Sequence, residues 1–335
     1  MMEYFKHNRA VSDQKDKVGA LNDGKTRRSS VAVLMSTYNG ERFLLEQIES
    51  IVAQEDVDVT LFVRDDGSSD RTIELLNSIA AGSNRISFEF GDNLGVVASF
   101  LTLLQNAGPD FDFYAFSDQD DYWLPDKLHR AEKMIVQKRR KSRDQVPYMY
   151  YSRLDFVDEF LNPLGHSIIP TTSGFHNALV QNQATGCTVV LDQTARNLVC
   201  NNPPNWALMH DWWCYLTVSA FGEVIYDAES RIRYRKHGHN VTPATPNFVR
   251  ELYARTRRFL GENDIPEKVT DQAREFDRRF GDALSNDKRA ILKGFLEARG
   301  KGLPGRLRYS LTMPVRRNTP IDNFILRILI VIGRF

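Results

Sequence analysis

Three short apolar runs near the start of the chain each end in a polar turn and give way to a helical pattern. This alternation constrains the fold more than any single residue does. Val31-Ala32-Val33-Leu34-Met35 runs into Ser36-Thr37-Tyr38-Asn39-Gly40, and Val57 to Val63 runs into Arg64-Asp65-Asp66-Gly67-Ser68-Ser69-Asp70. Phe111 to Phe116 runs into Ser117-Asp118-Gln119-Asp120-Asp121. Between them, residues 41–54 place Phe43, Leu44, Gln47, Ile48 and Ile51 at helical spacing, and 70–80 place Ile73, Leu76 and Ile79 on one face. A strand over 85–90 and a helix over 95–106 continue the pattern. Unbroken branched runs suit strands covered on both faces, and strands alternating with helices of ten to fifteen residues predict βαβ units. The predicted class is α/β, a Rossmann-like, mainly parallel sheet flanked by helices. Ligands bind such sheets at the carboxyl ends of the strands, where all three polar turns fall.

Beyond Tyr148 the regularity weakens. Residues 148–156 and 186–191 read as strands, 208–221 as a helix, and 224–226 and 232–234 as short strands. Residues 247–300 read as charged helix, and Gly302, Pro304, Gly305, Pro314 and Pro320 predict a broken linker over 301–320. The expected organisation is a lead-in over 1–29, one domain over 30–240 with halves 30–121 and 122–240, and a helical, basic C-terminal extension over 241–335. A formal charge of +1 gives no electrostatic argument for nucleic acid, so none is expected as a partner. Cys187, Cys200 and Cys214 form no metal or disulfide pattern and predict reduced thiols. The first thirty residues lack the apolar core of a secretory signal, and no run reaches the length of a membrane span. The expected location is the cytoplasm.

The acidic turn carries the most chemistry. Side chains alternate along an extended segment, so Asp118 and Asp120 point the same way and can grip a hard dication, Mg²⁺ or Mn²⁺. Such an ion neutralises the charge that develops on a departing diphosphate. A strand-end carboxylate at Asp65 or Asp66 can accept the imide N–H of uracil or thymine. Ser69 and Asp70 read as the cap of the following helix.

In this order and spacing, Val33 to Gly40, Arg64 to Asp70 and Ser117 to Asp121 resemble glycosyltransferase family 2 over roughly residues 30–240. The resemblance implies a GT-A fold, a nucleotide-diphospho-sugar donor, a divalent metal and inversion at the anomeric carbon. It implies Thr37, Tyr38, Asn39, Asp65, Asp66 and Asp118 as nucleotide contacts, Asp120 on the metal and Asp121 near the sugars. The family's general base is the Asp of a Glu-Asp pair. Met209-His210-Asp211-Trp212-Trp213 puts Asp211 there with His210 in place of the Glu, and Trp212 and Trp213 are either a sugar platform or core. Tyr234-Arg235-Lys236-His237-Gly238 resembles an element in which Arg faces the diphosphate and His completes the metal shell. Arg235 and His237 are the matching residues, with His239 competing. Gly186, in an acceptor-side segment, permits close backbone approach. The expected donor is a dTDP- or UDP-sugar, with dTDP-rhamnose favoured by resemblance to rhamnosyltransferase-like members. The expected acceptor is a surface polysaccharide or lipid-linked glycan.

From Lys288 to Phe335 there are eleven Lys and Arg against two acids, and Phe324 to Ile332 is apolar but too short to span a bilayer. Two readings stay open: a peripheral contact with the inner face of the plasma membrane, or a terminal helix packed on the domain.

Overall fold

The computed structural model describes residues 27–142, 145–236 and 265–335. Strands β1 (Ser29–Thr37), β2 (Val57–Asp65), β3 (Ile86–Phe90) and β4 (Phe113–Ser117) pair in parallel in the order β3-β2-β1-β4. Helices α1 (Leu44–Val52), α2 (Thr72–Ala80) and α3 (Val96–Asn106) connect them. The predicted βαβ series is therefore present with its strand ends in register: Thr37 sits beside Asp65, and Met35 beside Ser117. Side chains of β1 divide by parity between two cores. Val31, Val33 and Met35 pack with α1, α2 and α4 (Lys127–Lys141), while Ala32 and Leu34 pack with α3 on the opposite face. Coverage of both faces is why the strand reads as an unbroken apolar run.

Past β4 the sheet continues through β9 (Val190–Asp192), which is antiparallel to its neighbours, then β6 (Tyr148–Ser152) and β10 (Glu223–Asp227). The result is seven strands, mainly parallel. The stretch read as one strand over 148–156 breaks at Arg153-Leu154: β6 stays in the main sheet and β7 (Asp155–Val157) joins a second sheet with β5 (Tyr122–Trp123), β8 (Pro163–His166) and β11 (Ile232–Arg235). Gly186–Thr188 is a 3₁₀ turn rather than the start of a strand. Helix α4 went unread because its apolar residues Leu128, Ala131 and Ile135 are sparse among Lys and Arg. Helices α5 (Phe175–Ala178), α6 (Gln193–Asn201) and α7 (His210–Phe221) complete the domain. Asp192 caps α6 by accepting from Ala195 N at 2.8 Å.

The C-terminal region adds α8 (Ile265–Phe280), α9 (Asn286–Ala298), α10 (Leu303–Thr312) and α11 (Pro320–Val331). The linker expected over 301–320 is corrected in part. Pro304 lies in the first turn of α10, where a missing N–H costs nothing, so it starts a helix instead of breaking one. Phe276 and Phe280 of α8, Phe295 of α9 and Leu326, Leu329 and Ile330 of α11 enter the same core as α3 and α7. The terminal helix thus packs on the domain along one side. No helix among the described residues is long and apolar enough to cross a membrane.

Candidate active site

Ser36, Thr37 and Tyr38 from β1, Asp66 after β2, Asp118, Gln119 and Asp120 after β4, and Gly186, His210 and Asp211 line one cleft of about 500 Å³. Three strand ends and the opening of α7 thus meet, and each predicted residue falls into one of three situations.

Some face the cleft with their chemistry available. Asp118 is held to about pKa 7 by burial, by the charges of Asp120 and Asp211, and despite a Cys187 hydrogen bond that lowers it. Asp121 lies deeper, its Oδ1 accepting from Arg235 N at 3.3 Å while Oδ2 is buried without a partner among the described residues. Burial, Asp120 and Asp118 raise its pKa well above the carboxylate range. Ligand atoms of Asp118, Asp121 and Cys187 lie within 4.8 Å of one another. An orphaned carboxylate oxygen amid crowded acids fits a divalent cation with hard oxygen ligands. Asp211 opens α7, and burial pushes its carboxyl up to about 7 despite hydrogen bonds from Trp212 N, Gly186 N and Asn182. Asn182 Nδ2 donates to Asp211 Oδ1 at 3.0 Å and Trp212 N donates to the same oxygen at 2.6 Å. Tyr38 is 51% exposed at the rim, a free ring for stacking.

Others hold the walls of the cleft through hydrogen bonds of their own. Asp65 accepts from Thr37 Oγ1 at 3.0 Å, Ser68 Oγ at 2.5 Å, and the amides of Gly67 and Ser68 at 3.2 and 2.9 Å. Asp66 accepts from the amides of Leu94 and Gly95 at 2.8 and 2.9 Å and pairs with Arg64. Asn39, in the left-handed region at φ 50°, accepts from Ser69 N at 2.8 Å and so pins the first turn to the second. Asp70 accepts from Thr72 N at 3.0 Å but is not the expected cap: Arg71 is the N-cap of α2, which has no side-chain cap.

A third group lies elsewhere. Trp212 donates Nε1 to Ala178 O at 2.7 Å, and Trp213 packs against Phe276 and Phe280. Neither lines the cleft, which corrects the sugar-platform expectation in favour of core. Arg235 pairs with Glu46 and lies 4.6 Å over the Phe43 ring, away from the cleft lining where a diphosphate partner was expected. His237 and His239 lie outside the described residues.

Sequence reasoning missed several contributors. Gln119 clasps the first turn: Tyr38 N donates to its Oε1 at 2.9 Å, and its Nε2 donates to Tyr38 O at 3.0 Å. Gly40 leaves the room, since a Cβ there would collide with the Gln119 carboxamide. Asn182 carried a weak signal, being beside the Gln183–Cys187 segment. Lys127 carried none: it is wholly buried, with Nζ 3.4 Å over the Trp123 ring, and burial lowers its pKa to about 7. His210 is stacked on Phe100 at 4.0 Å and edge-on to Phe116. Burial drops its pKa to about 3, so it is neutral, and its Nε2 lies 2.9 Å from where a Gly186 Cβ would stand.

An α/β sheet of this order, with an acidic strand-end loop opposite a carboxylate at a helix start, defines the GT-A class of glycosyltransferase fold. Residues 32–160 match the family model described as glycosyl transferase family 2, and the chain carries a domain of that family. It is a glycosyltransferase. It is 28% identical over 231 residues to the dTDP-rhamnosyl transferase RfbG of Shigella flexneri, covering 64% of this chain and 75% of that one. It is 27% identical over 192 residues to the UDP-Glc:alpha-D-GlcNAc-diphosphoundecaprenol beta-1,3-glucosyltransferase WfgD of Escherichia coli, covering 56% of this chain and 69% of that one. The S. aureus TarS 1–349 structure, in complex with UDP-GlcNAc, shares the fold at a TM-score of 0.50 and 15% identity, over 91% of this chain and 87% of that one.

Proposed function

We propose that the chain is an inverting, metal-dependent transferase that moves a sugar from a nucleotide-diphospho-sugar to a polysaccharide or lipid-linked glycan, with Asp211 as general base. The observation that carries this reading is that Asp211 and Asp118 line one cleft with each carboxyl raised to about pKa 7, Asp211 by burial and Asp118 by burial and the charges of Asp120 and Asp211. One end of the cleft is then built for cationic charge and the other for a proton.

Asp118, Asp120 and Asp121 would hold Mg²⁺ or Mn²⁺, which supplies charge neutralisation to the departing diphosphate. Thr37, Tyr38 and Asp66 bound the nucleotide side, with Tyr38 offering a ring face to the base. Asp211, held by Asn182, takes the proton of the acceptor hydroxyl, and the freed oxygen bonds to the anomeric carbon as its bond to the diphosphate breaks on the opposite face. A carboxylate near pKa 7 balances ionised fraction against basicity at neutral pH. The donor is dTDP-rhamnose on the strength of the rhamnosyl transferase likeness, and a UDP-hexose is the second reading because the E. coli relative's name specifies UDP-Glc. Transfer takes place in the cytoplasm, at the membrane where a lipid-linked acceptor resides.

The deciding assay incubates the protein with dTDP-rhamnose, UDP-glucose and GDP-mannose, with Mn²⁺ or with chelator, and measures nucleoside diphosphate release. Metal-dependent release from dTDP-rhamnose above the others is expected. Equal release in chelator would remove the metal, and preference for UDP-glucose would install the second donor.

A further inference from the structure

The last two helices expose apolar surface that their packing does not use. On α10, Leu303, Leu307 and Leu311 are 58%, 49% and 69% exposed, and on α11, Phe324, Ile328 and Ile332 in and just past the helix are 65%, 44% and 51% exposed. Each triad repeats every four residues, so each lies along one side of its helix. The two helices pack on each other. Their other sides are fixed: Leu326, Leu329 and Ile330 are in the core, with Met313 and Val315 of the connection buried alongside. Arg327 bonds across to Ser310 O. The exposed sides are therefore backed by helices anchored in the core. Lys301, Arg308, Arg316 and Arg334, on these helices or flanking them in the chain, are all exposed.

We propose that this two-helix face docks on an anionic lipid bilayer, its six apolar side chains entering the interface and its basic rim meeting lipid phosphates. The proposal rests on the lipid-linked acceptor reading only for its purpose; the physical case stands on surface and charge. A large apolar face rimmed by cations suits insertion into a negatively charged interface, where burial and electrostatic attraction add. Neither helix is long enough to cross, so the contact is parallel to the membrane plane. A second copy is a poorer occupant, because a two-fold contact through this face brings the same basic rim against itself.

The test is co-sedimentation of the full chain with phosphatidylcholine vesicles, with and without phosphatidylglycerol. Binding is expected only with the anionic lipid and is expected to weaken as salt is added. Leu307→Glu with Phe324→Glu is expected to lower binding at least roughly tenfold, with melting temperature and donor hydrolysis unchanged. Should that variant fold poorly, Arg308→Glu with Arg316→Glu serves, and the same loss is expected. Pelleting that ignores either pair, or wild-type protein that ignores both kinds of vesicle, overturns the proposal. A dimer in solution that Leu307→Glu with Phe324→Glu dissolves, without vesicle binding, assigns the face to a second copy and overturns it as well. The vesicles contain no acceptor and no donor, so this result and the transfer assay fail independently.

Discussion

At position 211 burial opposes backbone and side-chain hydrogen bonds, and burial wins, holding the carboxyl at about pKa 7. Asp211→Asn keeps the shape and the Asn182 contact while removing the proton acceptor. Turnover is expected to fall by roughly 10²–10⁴-fold, the range for loss of a positioned base, with donor affinity by calorimetry nearly unchanged. In the wild type, kcat/KM should rise with pH and level off above about 7 as Asp211 ionises. A profile flat through that region would take the base role from Asp211. The positions of Thr37, Asp118 and Asp211 at the cleft were legible in the sequence, the first two because they close apolar strands and Asp211 because Met209 to Trp213 resembles the family's base segment. Trp212 and Trp213 were not. A helix start aims one side chain at the cleft and turns its neighbours by about 100° each, into the core. Arg235 misled for a related reason: a strand end bordering a cleft has two faces, and the guanidinium took the one toward Glu46 and Phe43.

The turns after β1 and β4 are joined by the reciprocal Tyr38–Gln119 bonds, which hold the base side and the acidic loop at a fixed separation. Gly40→Ala would push Gln119 out of that clasp. Donor KM is expected to rise roughly tenfold, in keeping with the usual cost of overpacking, while kcat changes less. Unchanged KM would mean that the clasp does not position the donor. The elements themselves divide by periodicity. β1 and β2 were legible because they lie between apolar cores, and α1 and α3 because one buried stripe recurs at helical spacing. α4 buries only Lys127, Leu128, Ala131 and Ile135 of its fifteen residues, and its basic surface hid the stripe. The turn at Gly186–Thr188 shares its composition with a strand and differs only in what it packs against.

For the whole molecule, the raised carboxylates have a thermodynamic consequence. Asp118 and Asp211 titrate near 7 when folded and near 4 when unfolded, so the folded state holds extra protons between those values. Their contribution is present below about pH 4 and is lost as pH rises through about 7. In chelator the melting temperature is expected to drop between about pH 5 and 7. Mn²⁺, competing with protons for the Asp118 oxygens, should restore part of it at about pH 7.5 and do little at about pH 5. An equal rise at both values would remove Asp118 from the metal site. The two halves read from the sequence meet in a sheet that does not divide between them. β4 belongs to the first half, and its outer edge is covered by β9 of the second, which in turn carries β6 and β10. For protein engineering, exchanging the second half for that of a relative would tear a ladder of backbone hydrogen bonds and bare a hydrophobic edge. Substitutions are better confined to the more exposed stretch 167–174 after β8, leaving the strands as a common chassis.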